Sequence, residues 1–200
     1  MGKQNNFEQI NLFATPVWKL ETDIQCKPIK SLVHHVKKTN KVGNKLTNMG
    51  GWQSSAYPCV EIPQALKPLF SLLDTSVRSC LDAIDIPNPV KMINFWFNIN
   101  EKGNYNKLHN HRGTLISGVF YIETPENCGS ISFERYDDSQ YFLPEDLQKR
   151  NLFTGSAIHF EPKEGRLLLF PSWLLHQVEP SQTTKPRISM SFNYSIDGVK

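Results

Sequence analysis

The C-terminal stretch alternates without a break. Arg187, Ser189, Ser191 and Asn193 fall on one face, and Ile188, Met190, Phe192 and Tyr194 fall on the other. A period of two is the signature of a β-strand with one polar and one apolar side. It is the last of a series. Short β-type runs separated by turn clusters occupy Val90–Asn100, Thr114–Glu123, Ser130–Glu134, Ala157–Glu161, Gly165–Pro171 and Arg187–Ile196. Many short strands without long helices predict an antiparallel sandwich or barrel from residue 90 onward.

The chain before Val90 reads differently. Phe13–Leu20 has the texture of a short leading strand, with Pro16 suiting an edge position. Pro28–Lys38 predicts a helix with Pro28 in its first turn. Residues 39–58 are polar and carry Gly43, Gly50 and Gly51, which predicts a loop. In Pro63–Ile84, Leu66, Leu69, Phe70, Leu73, Val77, Cys80, Leu81 and Ile84 recur at helical spacing, and Pro68 either opens or kinks that helix. Tyr136–Phe153 is charged and irregular, which predicts a mobile loop with room for a short helix. Two hundred residues suit one domain, with 1–89 bracing the outer face of a β core formed by 90–200.

Charge and composition exclude several classes. A net charge of +3 without a dense basic run gives no footprint for nucleic acid. No stretch has the apolar length of a membrane span, and MGKQNNFEQIN has no signal-peptide core. Met1-Gly2 is a poor myristoylation site because Asn6 stands where Ser or Thr is wanted. Cys26, Cys59, Cys80 and Cys128 form no C-x-x-C pair and read as reduced thiols, which with the absent signal core predicts a cytoplasmic protein. Asn193-Tyr194-Ser195 is a glycosylation sequon by pattern only.

The chemistry concentrates in a few positions. His109 and His111 lie between two predicted strands, and in extended chain an i, i+2 pair points the same way. His176, far downstream, is the natural third ligand, and three neutral imidazoles suit Fe(II), Mn(II) or Zn(II). Arg187, eleven positions later, and Ser189 offer a guanidinium fork and a hydroxyl for a carboxylate. A strand-end Arg187 paired with Glu179 or Asp197 is the plain structural reading. His34 and His35 read as a helix face, and His159 as structural or surface. Trp96 and Trp173 suit either a pocket or the core.

His109-x-His111, a long gap, His176 and then Arg187-x-Ser189 resemble the motif of the Fe(II)- and 2-oxoglutarate-dependent oxygenases. Further segments are similar to a branch found in marine bacteria and their phages. They are Leu12-Phe13-Ala14-Thr15-Pro16-Val17-Trp18, Ser117-Gly118-Val119-Phe120-Tyr121, Leu169-Phe170-Pro171-Ser172-Trp173-Leu174-Leu175-His176 and Arg187-Ile188-Ser189-Met190-Ser191-Phe192-Asn193-Tyr194. The resemblance implies a mainly β fold with N-terminal helices: a double-stranded β-helix, the cupin-like jelly roll. It implies that His109, His111 and His176 hold Fe(II), and that Arg187 and Ser189 grip the C5 carboxylate of 2-oxoglutarate, assisted by Tyr121. Asn98 shares a strand face with Asn94 and Trp96 and is expected to touch cosubstrate or substrate. The implied reaction consumes O2, releases succinate and CO2, and hydroxylates an unidentified small molecule or protein side chain, with the 136–153 loop as a lid. A phage-encoded member would act in the host cytoplasm. The N-terminal helices offer a surface for a homodimer.

His111 departs from the wider superfamily, where a carboxylate is usual. Either His111 is a ligand, or water or chloride takes its place, or a carboxylate such as Glu134 replaces it. Glu123, Glu126, Asp137 and Asp138 read as solvated turn residues. Two other classes compete. Gly103 ahead of His109-x-His111, and Gly165 ahead of Pro171 and His176, match parts of the cupin motifs, which predicts a metal-binding module. However, no glutamate follows His111 at Thr114–Ile116, and Trp173 fills a cupin glycine position. The missing carboxylate also suits an inactive structural protein on the same fold.

Overall fold

The computed structural model describes residues 8–59, 61–144, 146–147 and 149–198. The Met1–Asn6 segment considered for myristoylation lies outside them. Two helices and twelve strands follow in the order β1 Trp18–Glu21, α1 Cys26–Thr39, β2 Asn48–Met49, β3 Trp52–Gln53, β4 Tyr57–Pro58, α2 Lys67–Asp82, β5 Val90–Asn100, β6 Tyr105–His109, β7 Ile116–Glu123, β8 Ile131–Glu134, β9 Ala157–Phe160, β10 Arg166–Pro171, β11 His176–Val178 and β12 Arg187–Ile196. The protein is therefore mainly β, with helices near its N-terminus.

The helices form where the apolar spacing places them. In α1, Pro28 sits in the first turn, where its missing N–H costs nothing, and Lys37 and Lys38 lie in the last turn beside the negative end of the dipole. In α2, Pro68 opens the helix rather than kinking it, and Leu69, Phe70, Leu73, Val77, Cys80 and Leu81 form one buried stripe. Fully burying an aliphatic or aromatic side chain of this kind stabilises by about 1.5–3 kcal/mol, so this stripe anchors the helix. The helix stops at Asp82, short of Ile84, which is exposed. Asp85 turns left-handed at φ 56°, and the N–H of Ile86 reaches back to the Leu81 carbonyl at 3.0 Å, closing the helix end.

All strand pairs are antiparallel and build two sheets. The larger runs β1-β10-β7-β12-β5-β3, with β4 also on β5, and the smaller runs β2-β6-β11-β8-β9. On β12, Ile188, Met190, Phe192 and Tyr194 enter the core shared with the two helices. The Tyr194 hydroxyl donates to Asp74 Oδ1 at 2.6 Å and ties β12 to α2. A second core of Val119, Tyr121, Ile131, Phe133, Leu168, Phe170 and Leu174 joins β7 and β10 of the large sheet to β8 of the small one. The polar face of β12 is thereby left for the space between the sheets.

The stretch 39–58 is not a plain loop. It carries β2, β3 and β4, which cover the open ends of both sheets, and strands of two residues leave no alternation to read. β6 and β11 also escape the sequence reading because both are short and polar. The leading strand begins at Trp18, beyond Pro16, and forms the sheet edge. Within 136–153, Asp138–Phe142 forms a 3-10 turn. Arg135 ties this segment to the sheet by donating to the carbonyls of Gly155, Leu152 and Phe153.

Candidate functional site

β6 and β11 are neighbours, and their register places His176 opposite His109. His111 follows β6 by two residues, with its backbone N–H held by the Ser172 carbonyl at 2.9 Å. The three imidazoles close into a triangle, with ring centroids 4.3 Å apart for His109–His176 and 5.1 Å for each pair involving His111. One donor atom from each lies within 4.8 Å of the others, so the three could hold a single metal ion.

Two tautomers follow from the hydrogen bonds. His109 Nδ1 lies 2.6 Å from the Lys107 carbonyl, and His176 Nδ1 lies 2.8 Å from the Leu174 carbonyl. A carbonyl only accepts, so each Nδ1 carries the proton and each Nε2 keeps its lone pair for a metal. Burial lowers the His176 imidazole to about 3, with His109 adding to the shift. Burial, again reinforced by His109, lowers His111 to about 4. His109 is also lowered by burial, against the pull of its bond to Lys107. All three are neutral at pH 7, the form a metal binds.

A cavity of about 350 Å³ opens beside the triangle, and Arg187, Ser189, Tyr121 and Asn98 line it together with the histidines. Ser189 lies opposite Asn98 of β5 on one side and Tyr121 of β7 on the other, so these three residues form one lateral row across the large sheet. Arg187 is 3% exposed and lies at the end of that face. Its Nη1 donates to the carbonyls of Cys128 at 3.1 Å and Gly129 at 2.8 Å, and its Nε has no partner among the described residues. Neither Glu179 nor Asp197 pairs with it. Glu179 faces His159 at 3.2 Å, and Asp197 meets Lys91 at 2.5 Å. A guanidinium without a carboxylate is costly to bury, and this one faces the same cavity as the histidines. Burial raises the Tyr121 phenol to about 12, although Arg187 pulls it down, so Tyr121 is a neutral hydroxyl.

Other expectations sort clearly. Glu134 lies outside the triangle, and its carboxylate accepts from Ser132 and from Gln177 at 2.9 Å. Trp96 lines the cavity, with its ring 5.6 Å from that of His111. Trp173 is exposed and serves neither pocket nor core. Glu123 is not a solvated turn residue, since it ends β7, half-buried, and pairs with Lys30 at 2.6 Å. Asn193 is buried in β12 and cannot act as a glycosylation acceptor.

A polar network escaped the sequence reading. Ser117 Oγ donates to Asn193 Oδ1 at 2.7 Å and meets Ser172 Oγ at 2.8 Å, while Asn193 Nδ2 donates to Asn94 Oδ1 at 2.9 Å. It binds β5, β7 and β12 to the turn that holds His111. Only the placement of Asn193 on the polar face of β12 hinted at it.

Comparison with known proteins agrees with this geometry. No curated protein matches the chain in sequence. Among solved structures, the chain is similar to a Pseudomonas putida prolyl-4-hydroxylase, at 14% identity and TM-score 0.62 over 94% of this chain and 96% of that one. It is similar to a Trichoplax adhaerens prolyl hydroxylase in complex with a hypoxia inducible factor peptide, at 14% identity and TM-score 0.65 over 90% and 84%. It is also similar to HygX of Streptomyces hygroscopicus with nickel and 2-oxoglutarate bound, at 12% identity and TM-score 0.58 over 93% and 84%. At such identities the likeness speaks for the fold. The family model for 2OG-Fe(II) oxygenases matches residues 94–193, which span β5 to β12 and contain all three histidines and Arg187. The chain belongs to the 2OG-Fe(II) oxygenase family and is an enzyme that uses Fe(II), 2-oxoglutarate and O2.

Proposed function

We propose that His109, His111 and His176 hold the iron of a double-stranded β-helix hydroxylase, and that Arg187 and Ser189 bind the far carboxylate of 2-oxoglutarate. The observation that carries this reading is the buried Arg187, whose side-chain partners among the described residues are carbonyls only and which opens onto the cavity of the histidine triangle. The residues present fit both groups. Three imidazoles with free Nε2 atoms suit a divalent first-row metal, and an uncompensated guanidinium suits a carboxylate. When bound, iron and 2-oxoglutarate together activate O2, with succinate and CO2 as by-products of substrate hydroxylation.

The protein's own part is orientation. The Lys107 and Leu174 carbonyls fix two imidazoles, and the Cys128 and Gly129 carbonyls fix the guanidinium. Tyr121 and Asn98 flank Ser189 and complete the wall against which the cosubstrate lies. Phe170 packs its ring 4.8 Å from that of His176 and shields that face from water. A cavity near 350 Å³ is at the small end of ligand sites and also receives 2-oxoglutarate, so the room left suits a small molecule or a single inserted side chain. The four thiols are unbridged, which supports a reducing, cytoplasmic setting.

Succinate formation tests the reading. Aerobic incubation with Fe(II) and labelled 2-oxoglutarate is expected to yield slow, substrate-independent succinate in the wild type and none in His176→Ala. Equal succinate from both proteins would contradict it.

A further inference from the structure

The substrate side of the cavity carries a charge signature of its own. Among the described residues no Asp or Glu lines the cavity, and the one permanently charged side chain in its lining is Arg187. The nearby carboxylates are turned elsewhere, Glu134 toward Ser132 and Gln177 and Glu179 toward His159 and the N–H of Ser130. Asn94 lines the cavity with its Oδ1 engaged by Asn193 Nδ2, an orientation that leaves its Nδ2 free to donate. Lys45 and Arg112 are exposed and flank lining residues, Lys45 between Asn44 and Leu46 and Arg112 beside His111.

Charge bookkeeping then follows from the proposed ligand set, on which this inference rests. Iron brings two positive charges and Arg187 one, 2-oxoglutarate brings two negative, and three imidazoles bring none. The loaded centre keeps one net positive charge that a carboxylate at position 111 would have cancelled. Inside a partly buried cavity that charge is poorly screened and discriminates among substrates. We propose that the substrate carries an oxyanion, a carboxylate or a phosphate group, close to the carbon that reacts. That group is received by the positive centre and by the side-chain N–H groups of Asn94, beside Trp96 on the same strand face. A cationic amine finds no carboxylate among the described lining residues to receive it.

The test uses the anaerobic wild-type complex with Fe(II) and saturating 2-oxoglutarate, in chloride-free buffer at low ionic strength. Acetate, methyl phosphate, neutral acetamide and ethylammonium are titrated by calorimetry, while the visible band of the iron–2-oxoglutarate complex reports that the cosubstrate stays bound. We expect at least one of the two anions to bind about tenfold or more tighter than acetamide, with ethylammonium weakest. The stronger of acetate and methyl phosphate identifies the oxyanion. His111→Asp should erase the preference while keeping the band. Asn94→Asp, which places an acid in the cavity without touching the triangle, should erase it as well. A band with no preference for anions would overturn this inference and leave the oxygenase reading standing. An absent band would overturn both.

Discussion

His109 and His176 face each other across the β6–β11 pair, with ring centroids 4.3 Å apart and each Nδ1 held by a backbone carbonyl two residues earlier in its own strand or turn. Two local hydrogen bonds therefore orient two imidazoles before any metal arrives. The site is preorganised by its backbone, and a metal has little ordering cost left to meet.

Removing His176 should destroy metal binding. Disturbing a group that merely orients a ligand costs about 10–100-fold in affinity, so deleting the ligand itself should cost at least the upper end. A Co(II) or Fe(II) titration of His176→Ala checks this.

Arg187→Met separates function from stability. The side chain is buried without a carboxylate, so replacing it with an apolar chain of similar length removes an uncompensated charge. We expect the melting temperature without ligand to change by no more than a few degrees. The wild type should gain about 2.7 kcal/mol from 2-oxoglutarate at one hundred times its Kd, and the variant should gain almost none. Thermal shift with and without 2-oxoglutarate reads both.

The pH dependence of the metal-free protein follows from the buried imidazoles. His176 is lowered to about 3 and His111 to about 4, against 6.5 for an ordinary imidazole. Below pH 6.5 the unfolded chain takes up protons that the fold refuses, so stability is complete above 6.5 and falls as the pH drops toward 3. Each histidine contributes a slope of up to about 1.4 kcal/mol per pH unit. Denaturant melts of the metal-free protein between pH 7.5 and 4 should show it, and His176→Gln should flatten the slope.

Tyr194→Phe tests the frame apart from the site. It deletes the 2.6 Å bond to Asp74, and bonds to charged groups contribute about 1.5–3 kcal/mol. Urea unfolding should register a loss of that size, while the 2-oxoglutarate affinity stays as in the wild type.

Much of this was legible in the sequence, for physical reasons. β12 has the predicted bounds because ten residues of alternation leave little freedom of register, and β5, its partner along that length, has them too. The buried stripe of α2 was visible because its spacing repeats over four turns. β2, β3 and β4 were invisible because a two-residue strand is defined only by its partner. Glu134 looked available because sequence cannot show that Gln177 and Ser132 already hold it. The Ser117–Asn193–Asn94 network was hidden for the same reason, since each polar residue on a strand face reads as solvated until the second sheet covers it.

The central claim is that the histidine triangle and Arg187 serve one bound metal–oxoacid pair. Anaerobic addition of Fe(II) and then 2-oxoglutarate to the metal-free protein tests it most directly, by following the visible metal-to-ligand charge-transfer band. The account predicts a band in the wild type and, in Arg187→Met, a band that needs at least about a hundredfold more 2-oxoglutarate, consistent with the loss of a buried charged partner. Iron binding without any band, or a band whose 2-oxoglutarate dependence ignores Arg187, would contradict it.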